Sequence, residues 1–506
     1  MINWRTTIQD WLGNSALRPL FFGRRRWMLN VLAVLLIAVG SVGGGWLIVE
    51  VGVLPAIALW VALGLFVWIV SDIEIAYGGV IGVITLLPFA SLPFSIGFRP
   101  TFLDVALVGL FFVWLLPYGL GEEQRFVATP LGAPVLVFTF LAIGTFVAGL
   151  GHAALTVTLI RRFAETLLSL ALFFLVVNTV RDVGRLGRLM RWLILGATAA
   201  AFLGIVLYFL PDALTMRLLS ALRYLGYPSG VGVLRYIRDD PSLMQRATST
   251  SVDPNVLGSL LNLALAMTVP QLFAQRPLLP RWLIVVCLGL MGVCLGLTIS
   301  RGSMVAMILA VLAIGVLRYR KLLPWFAAVL LLILILPWTQ AYLTHFLEGV
   351  QLQDLSMKMR LGEYKDAFIL IRRYPLLGVG FAGAPDIDIY TAVASVYLTI
   401  AEQMGLIGLA VFLVIAAMLL VRFWRWRKVA EMSPELEPLW YGLHAAIIGG
   451  LMAGLSDRYF FSLDFHHSVT LFWLIVGLAT AAVQIASASA HEAPNVEGAG
   501  CEPRAS

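Results

Sequence analysis

The chain has 506 residues, of which 60% are hydrophobic and only 12% charged, and its formal net charge is +7. A soluble domain cannot hide that much apolar surface, and a mean hydropathy of +0.92 points to repeated bilayer crossings. Helices satisfy their backbone groups within the segment, so the expected class is all-α: a polytopic bundle of about 14 transmembrane helices. The ten-residue alternating strands of a membrane barrel are missing from the sequence.

Residues 1–27 are of mixed polarity, carry Arg24, Arg25 and Arg26, and read as a cytoplasmic segment rather than a cleavable signal. Apolar runs then predict fourteen spans: 28–49, 51–70, 78–97, 101–118, 131–150, 163–179, 192–210, 254–274, 282–300, 302–317, 323–338, 392–421, 438–456 and 468–486. The third is interrupted by Pro88 and Pro93. Short loops rich in arginine and lysine, at 181–191, 317–324 and 421–428, set the orientation. Both termini fall in the cytoplasm, in the inner membrane of a multi-pass protein. The net charge reflects these anchors and is no nucleic-acid signal.

The expected organisation is N-terminal membrane helices over 28–210, a second membrane region over 211–486 with an extracytoplasmic loop at 339–391, and a disordered cytoplasmic tail over 487–506. Cys287 and Cys294 read as small packing residues, and no cysteine spacing suggests a metal site or a disulfide framework.

Arginines in the two long outer loops, 211–253 and 339–391, are not topology signals, because long loops translocate whatever their charge. They are either solvated surface or a site for an anion. Four stretches stand out. In the first, Arg246 precedes Asp253-Pro254-Asn255, a helix start with Asp253 as N-cap. Arg246 could reach a phosphate near that helix end. In the second, Ser300-Arg301-Gly302-Ser303 joins two apolar runs almost without a linker. Arg301 either snorkels to headgroups or faces a cavity, and Gly302 with Ser303 would let a ligand approach. In the third, Arg360 lies on a loop helix whose Leu361, Tyr364, Phe368 and Ile371 form an apolar stripe. Glu363 reads as its weak surface partner. The fourth runs from Asp457 through Tyr459-Phe460 to His466-His467, where a histidine pair alone fixes neither metal nor proton chemistry.

Taken in order, Arg246…Asp253-Pro254-Asn255, Ser300-Arg301-Gly302-Ser303, Arg360…Tyr374-Pro375-Leu376-Leu377-Gly378-Val379-Gly380 and Tyr397-Leu398…Ala401-Glu402…Gly405-Leu406-Ile407-Gly408-Leu409 resemble the O-antigen ligase and polymerase superfamily of membrane glycosyltransferases. The resemblance covers about residues 240–480. It implies a bundle of 12–14 helices with a large outer loop. The implied donor is a glycan on undecaprenyl diphosphate, and the implied acceptor is a sugar hydroxyl. No metal or cofactor is called for, and polysaccharide export machinery is a possible partner besides the membrane lipids. Arg301 and Arg360 are the implied catalytic ligands of the diphosphate. Arg246, Asp253, Asn255, Tyr397, Glu402, Asp457 and His466 are the implied substrate-binding set.

One departure stands out. Ligases of this family carry His-Asn before the Tyr-Leu pair, and the histidine is thought to activate the acceptor. Here those positions hold Ala394 and Ser395. Asp386, Asp388, His466 and Glu402 are the candidate substitutes, and the change tilts the reading towards a polymerase or exopolysaccharide role. A transporter of lipid-linked glycan or of a small anion such as bicarbonate is the alternative. It would be marked by ionisable residues or broken helices within the spans.

Overall fold

The computed structural model describes residues 72–93, 97–119, 126–151, 155–324, 355–383 and 393–492, with isolated positions between them. The spans expected at 28–49, 51–70 and 323–338 fall wholly or almost wholly outside the described residues, as do Asp386 and Asp388.

Two compact units divide the chain: 1–83 with 103–126, and 84–102 with 127–506. In the first, the described parts are most of α1 (Ile73–Leu86) and of α2 (Phe102–Gly119). The second holds α3 (Gly132–Gly149), α4 (Val157–Thr179), α5 (Val183–Phe209), α6 (Asp212–Ala221), α7 (Pro254–Thr268), α8 (Arg281–Thr298) and α9 (Arg301–Leu317). It continues with α10 (Leu355–Arg373), α11 (Val396–Met432), α12 (Leu436–Ala453) and α13 (His466–Glu492). Among the described residues the only strands are two-residue pieces, β1 (Arg235–Tyr236) and β2 (Gln245–Arg246), paired antiparallel.

Six described helices are long and apolar enough to cross a membrane: α3, α5, α7 with its short 3₁₀ extension, α8, α11 and α13. Their ends lie within a few residues of the expected spans except on α5, α11 and α13, which run further. The last helix continues to Glu492, into the segment read as a disordered tail. The expected span 78–97 is corrected. Helix α1 stops at Leu86, ahead of Pro88, and the chain then folds back through a bridge between Ser91 and Thr101. Pro88 and Pro93 lack the N–H groups that a continuing helix would need.

Helices α7 and α13 form the centre. Buried residues make up 83% of the apolar window of α7 and 94% of that of α13, against 33–39% for the other four candidate spans. Both are apolar on every side, as a helix surrounded by helices must be. Helix α13 packs on α4, α11 and α12, while α7 packs on α12, α8, α9 and α5. Trp473 on α13 is fully buried and lies 6.3 Å from Phe138 of α3, which is 5.7 Å from Phe461. At the end of α5, Leu207 packs with Leu219, Val233 and Leu234 of the 211–253 loop in a small core of their own.

Helix α11 is broken near its start. Gly405 has φ +69° and ψ −177°, which opens the helical ladder. The segment after α10 closes the gap. Val379 N–H donates to Glu402 O (2.8 Å), Gly380 N–H to Gln403 O (3.0 Å), and Leu406 N–H to Pro375 O (2.8 Å). Glu402 O, Gln403 O and Leu406 N–H thereby gain partners, as a low-dielectric environment favours. The fit needs glycines. A Cβ on Gly378 would stand 2.4 Å from Glu402 O, and one on Gly380 would stand 2.6 Å from Gly149 Cα of α3.

A Cβ at Gly405 would meet Leu376 O at 2.0 Å in a backbone conformation that essentially only glycine adopts. Gly405→Ala should therefore lose about 1–3 kcal/mol from backbone strain alone, with the clash in addition. Thermal unfolding of the detergent-purified variant measures this, and an unchanged melting temperature would contradict it.

Candidate functional site

The helix starts and ends near residues 246, 300 and 457 supply the candidate site. Asp253 caps α7, its Oδ1 accepting from Asn255 N–H (2.7 Å) and Val256 N–H (3.3 Å), and Pro254 takes the first helical position. Arg246 joins this helix start to the end of α8. Its Nε donates to Thr298 O at 2.8 Å and its Nη2 to Asn255 Oδ1 at 2.7 Å. A guanidinium is suited to the free carbonyls at a helix C-terminus. Helix α9 begins at Arg301 after a link of only two residues, Ile299 and Ser300. The turn is made possible by Ile299, which sits at φ +52°.

Helix α10 brings in Arg360. Its Nη2 lies 3.2 Å from Asp457 Oδ1, in the loop between α12 and α13. Asp457 also approaches Arg301's turn, since a Cβ on Gly302 would be 3.1 Å from Asp457 Oδ2 and 2.2 Å from Ser456 Oγ. Gly302 thus admits the 456–457 loop, rather than a ligand as its sequence context suggested. Ser303 likewise bonds Ser300 Oγ (3.1 Å) and abuts Gly258. Tyr459 closes the group, its OH 3.5 Å from Asp253 Oδ1.

Arg246, Arg301, Arg360, Asp253, Asn255, Asp457 and Tyr459 therefore share one electrostatic neighbourhood. Burial lowers the affinity of Arg246 for its proton, Asp253, Tyr459 and Asp457 raise it, and Arg301 opposes it as a like charge. Burial pushes the Asp457 carboxyl up to about 7, against the pull of Arg360 and Arg246 and with the help of Asp253. The Tyr459 hydroxyl is raised well above its ordinary value by burial and by Asp457 and Asp253. Among the described residues, three of the five non-glycines at positive φ, Ser249, Val252 and Ile299, lie in these loops. Val252 and Ile299 are β-branched and poorly suited to that region, so strain is concentrated around the arginines.

The structure does not bring the other expected residues into this group. Tyr397 OH donates to Leu451 O at 2.8 Å and ties α11 to α12. His466 stands 4.0 Å from Glu165 of α4, and His467 packs edge-on to Phe89. Glu402 is fully buried beside the α11 break, with no hydrogen-bond partner for either carboxylate oxygen among the described residues. The charges it feels are Arg458 and Asp366.

Helix α10 lies on the bundle by a face that takes in only part of its apolar stripe, Tyr364 and Ile371 being half-buried. Ala367 and Leu370 are fully buried, whereas Leu361 and Phe368 are exposed. The reason is polar: Arg360 needs Asp457, and Glu363 Oε2 accepts Ala394 N–H at 3.0 Å. Tyr364 OH donates to Ala394 O at 3.3 Å from the same side, and burial raises its proton affinity. Helical spacing alone makes Glu363 a surface partner of Arg360. The contact that reassigns it joins positions 31 apart and leaves no local pattern.

Residues 286–413 match the family model described as O-antigen ligase. No curated protein matches the chain. The matched region contains most of α8, all of α9 and α10 and the start of α11, and so both Arg301 and Arg360. It supports the O-antigen ligase superfamily for this chain and, with the apolar helices, a membrane protein with a glycan ligase or polymerase role.

When Asp457 ionises, it competes with an incoming anion for Arg360. Its carboxyl titrates at about 7, so it is neutral below that pH and charged above it. Affinity for a diphosphate diester, whose own charge is constant over this range, should fall as pH rises through about 7. In Asp457→Asn the fall should be absent. Titration calorimetry on either side of neutrality checks both.

Proposed function

We propose, from the O-antigen ligase match over residues 286–413 as premise, that the chain transfers glycan from undecaprenyl diphosphate to a sugar hydroxyl on the outer face of the cytoplasmic membrane. The observation that carries this reading is the meeting of Arg246, Arg301 and Arg360 in one neighbourhood, with Asp457 paired to Arg360 and Asp253 acting on Arg246. Glycosyl transfer from a lipid diphosphate breaks the bond from the anomeric carbon to phosphate oxygen, and negative charge develops on the leaving diphosphate. Guanidinium groups held in place before the reaction stabilise that charge without reorganising. Arg301 and Arg360 are its ligands. Arg246, engaged through Nε and Nη2, holds its charge fixed behind them. Asp253 and Asn255 fix the start of α7 around the site.

A transport reading is favoured by one observation. Glu402 is buried and unpartnered among the described residues, next to a helix broken at Gly405. Such features mark permeation paths in transporters. Here the break is closed by the 375–380 segment, which argues for a structural joint.

The purified protein in lipid, given undecaprenyl-diphosphate-linked oligosaccharide and read by mass spectrometry, separates these readings. Longer glycan with released undecaprenyl diphosphate supports a polymerase. Release that needs a separate acceptor supports a ligase. Movement of intact donor across the bilayer without release supports transport. Arg301→Ala and Arg360→Ala should each lower transfer by about 10²–10³-fold while the protein stays inserted. Normal glycan length in both would overturn the diphosphate clamp.

A further inference from the structure

The arginines account for the leaving group but not for the proton of the incoming hydroxyl. Resting on the transferase reading above, we infer that the Glu363 carboxylate is the base that takes this proton. Around the arginines the described residues place three carboxylates. Asp253 is occupied as the cap of α7 and as acceptor for Tyr459. Asp457 is buried and bonded to Arg360, between the guanidiniums themselves, on the side of the departing diphosphate. Glu363 differs from both. It is only half-buried, so an acceptor can reach it. Its Oε2 is oriented by Ala394 N–H at 3.0 Å, and a carboxylate so bound keeps lone pairs for a hydroxyl.

The spacing suits the reaction. Glu363 follows Arg360 by three residues on α10, which puts their Cβ atoms about 5–6 Å apart on neighbouring positions of one helix. A displacement at the anomeric carbon places the entering oxygen opposite the leaving oxygen. Arg360 serves one side and Glu363 the other. The acceptor O–H gives its proton to Glu363 as its oxygen bonds to the anomeric carbon. The bond to the phosphate oxygen breaks, and the electron pair leaves with undecaprenyl diphosphate. Glu363 then returns the proton to water. Of the other candidates, His466 lies against Glu165 and Glu402 is sealed beside the α11 break, while Asp386 and Asp388 fall outside the described residues.

Glu363→Gln tests this, because the amide oxygen can still accept Ala394 N–H and preserve the joint between α10 and α11. In lipid with the lipid-linked oligosaccharide, transfer should fall by about 10²–10⁴-fold with donor KM unchanged. Glu363→Asp should keep part of the rate. Added formate should restore part of the rate of Glu363→Ala and none of that of Glu363→Gln. A Glu363→Gln protein that transfers near the wild-type rate, or a Glu363→Ala protein that formate does not rescue, overturns the assignment and leaves the transferase reading standing. A wild-type protein that turns over no donor overturns both.

Discussion

The site rests on an exchange of backbone hydrogen bonds at Gly405. A helix opened within the apolar part of a bundle leaves donors and acceptors with no water to meet them, each worth about 1–3 kcal/mol when buried and unmade. Three bonds from the 375–380 segment restore them. The repair also fixes the C-terminal end of α10 against α11. At its other end, α10 is held by Arg360 on Asp457 and by Glu363 and Tyr364 on Ala394. A helix clamped at both ends presents its polar face in one register. Arg360 is thus positioned by backbone geometry some four turns away as much as by its own ion pair.

That arrangement explains why residues of high family resemblance have different tasks. The glycines at 378, 380 and 405 serve close backbone approach, two of them at contacts with the carbonyls of α11 or of the segment it grips and one against α3. The arginines serve charge. Sequence motifs run the two together because the chain alternates between them over a short distance.

The helices were legible because hydrophobic runs and caps are local. Asp253-Pro254 marks the start of α7, and the two-residue link before Arg301 is where the sequence puts it. The third expected span failed because apolar composition outweighed two prolines that end α1. The arginines were legible as outer-loop charges that topology does not need. Their meeting was not, since Arg360 and Asp457 are 97 residues apart. Helical spacing pointed Glu363 to Arg360, whereas tertiary contacts took Arg360 to Asp457 and Glu363 to the backbone of Ala394. Tyr397 and His466 stand apart from the arginines, on Leu451 O and beside Glu165, contacts that no local pattern announces.

Arg301 is the most informative side chain in this respect. It occupies the first position of α9, whose N-cap Ser300 makes no side-chain capping bond and whose first turn has no acidic residue. A helix N-terminus carries roughly half a positive charge and favours anions, so a cation there costs stability. Helix α7 starts in the same neighbourhood, and Arg246 opposes Arg301 directly. Asp253 offsets part of this charge, but Asp457, pushed up to about 7, is neutral for much of the time near neutrality. The chain thus holds positive charge where its own backbone disfavours it and pins it there with strained loops and a buried helix. On the transferase reading, a doubly charged diphosphate supplies the kind of charge that a helix start favours. On that reading, catalysis requires that more of the gain appear as charge shifts onto the departing diphosphate than when the intact donor binds.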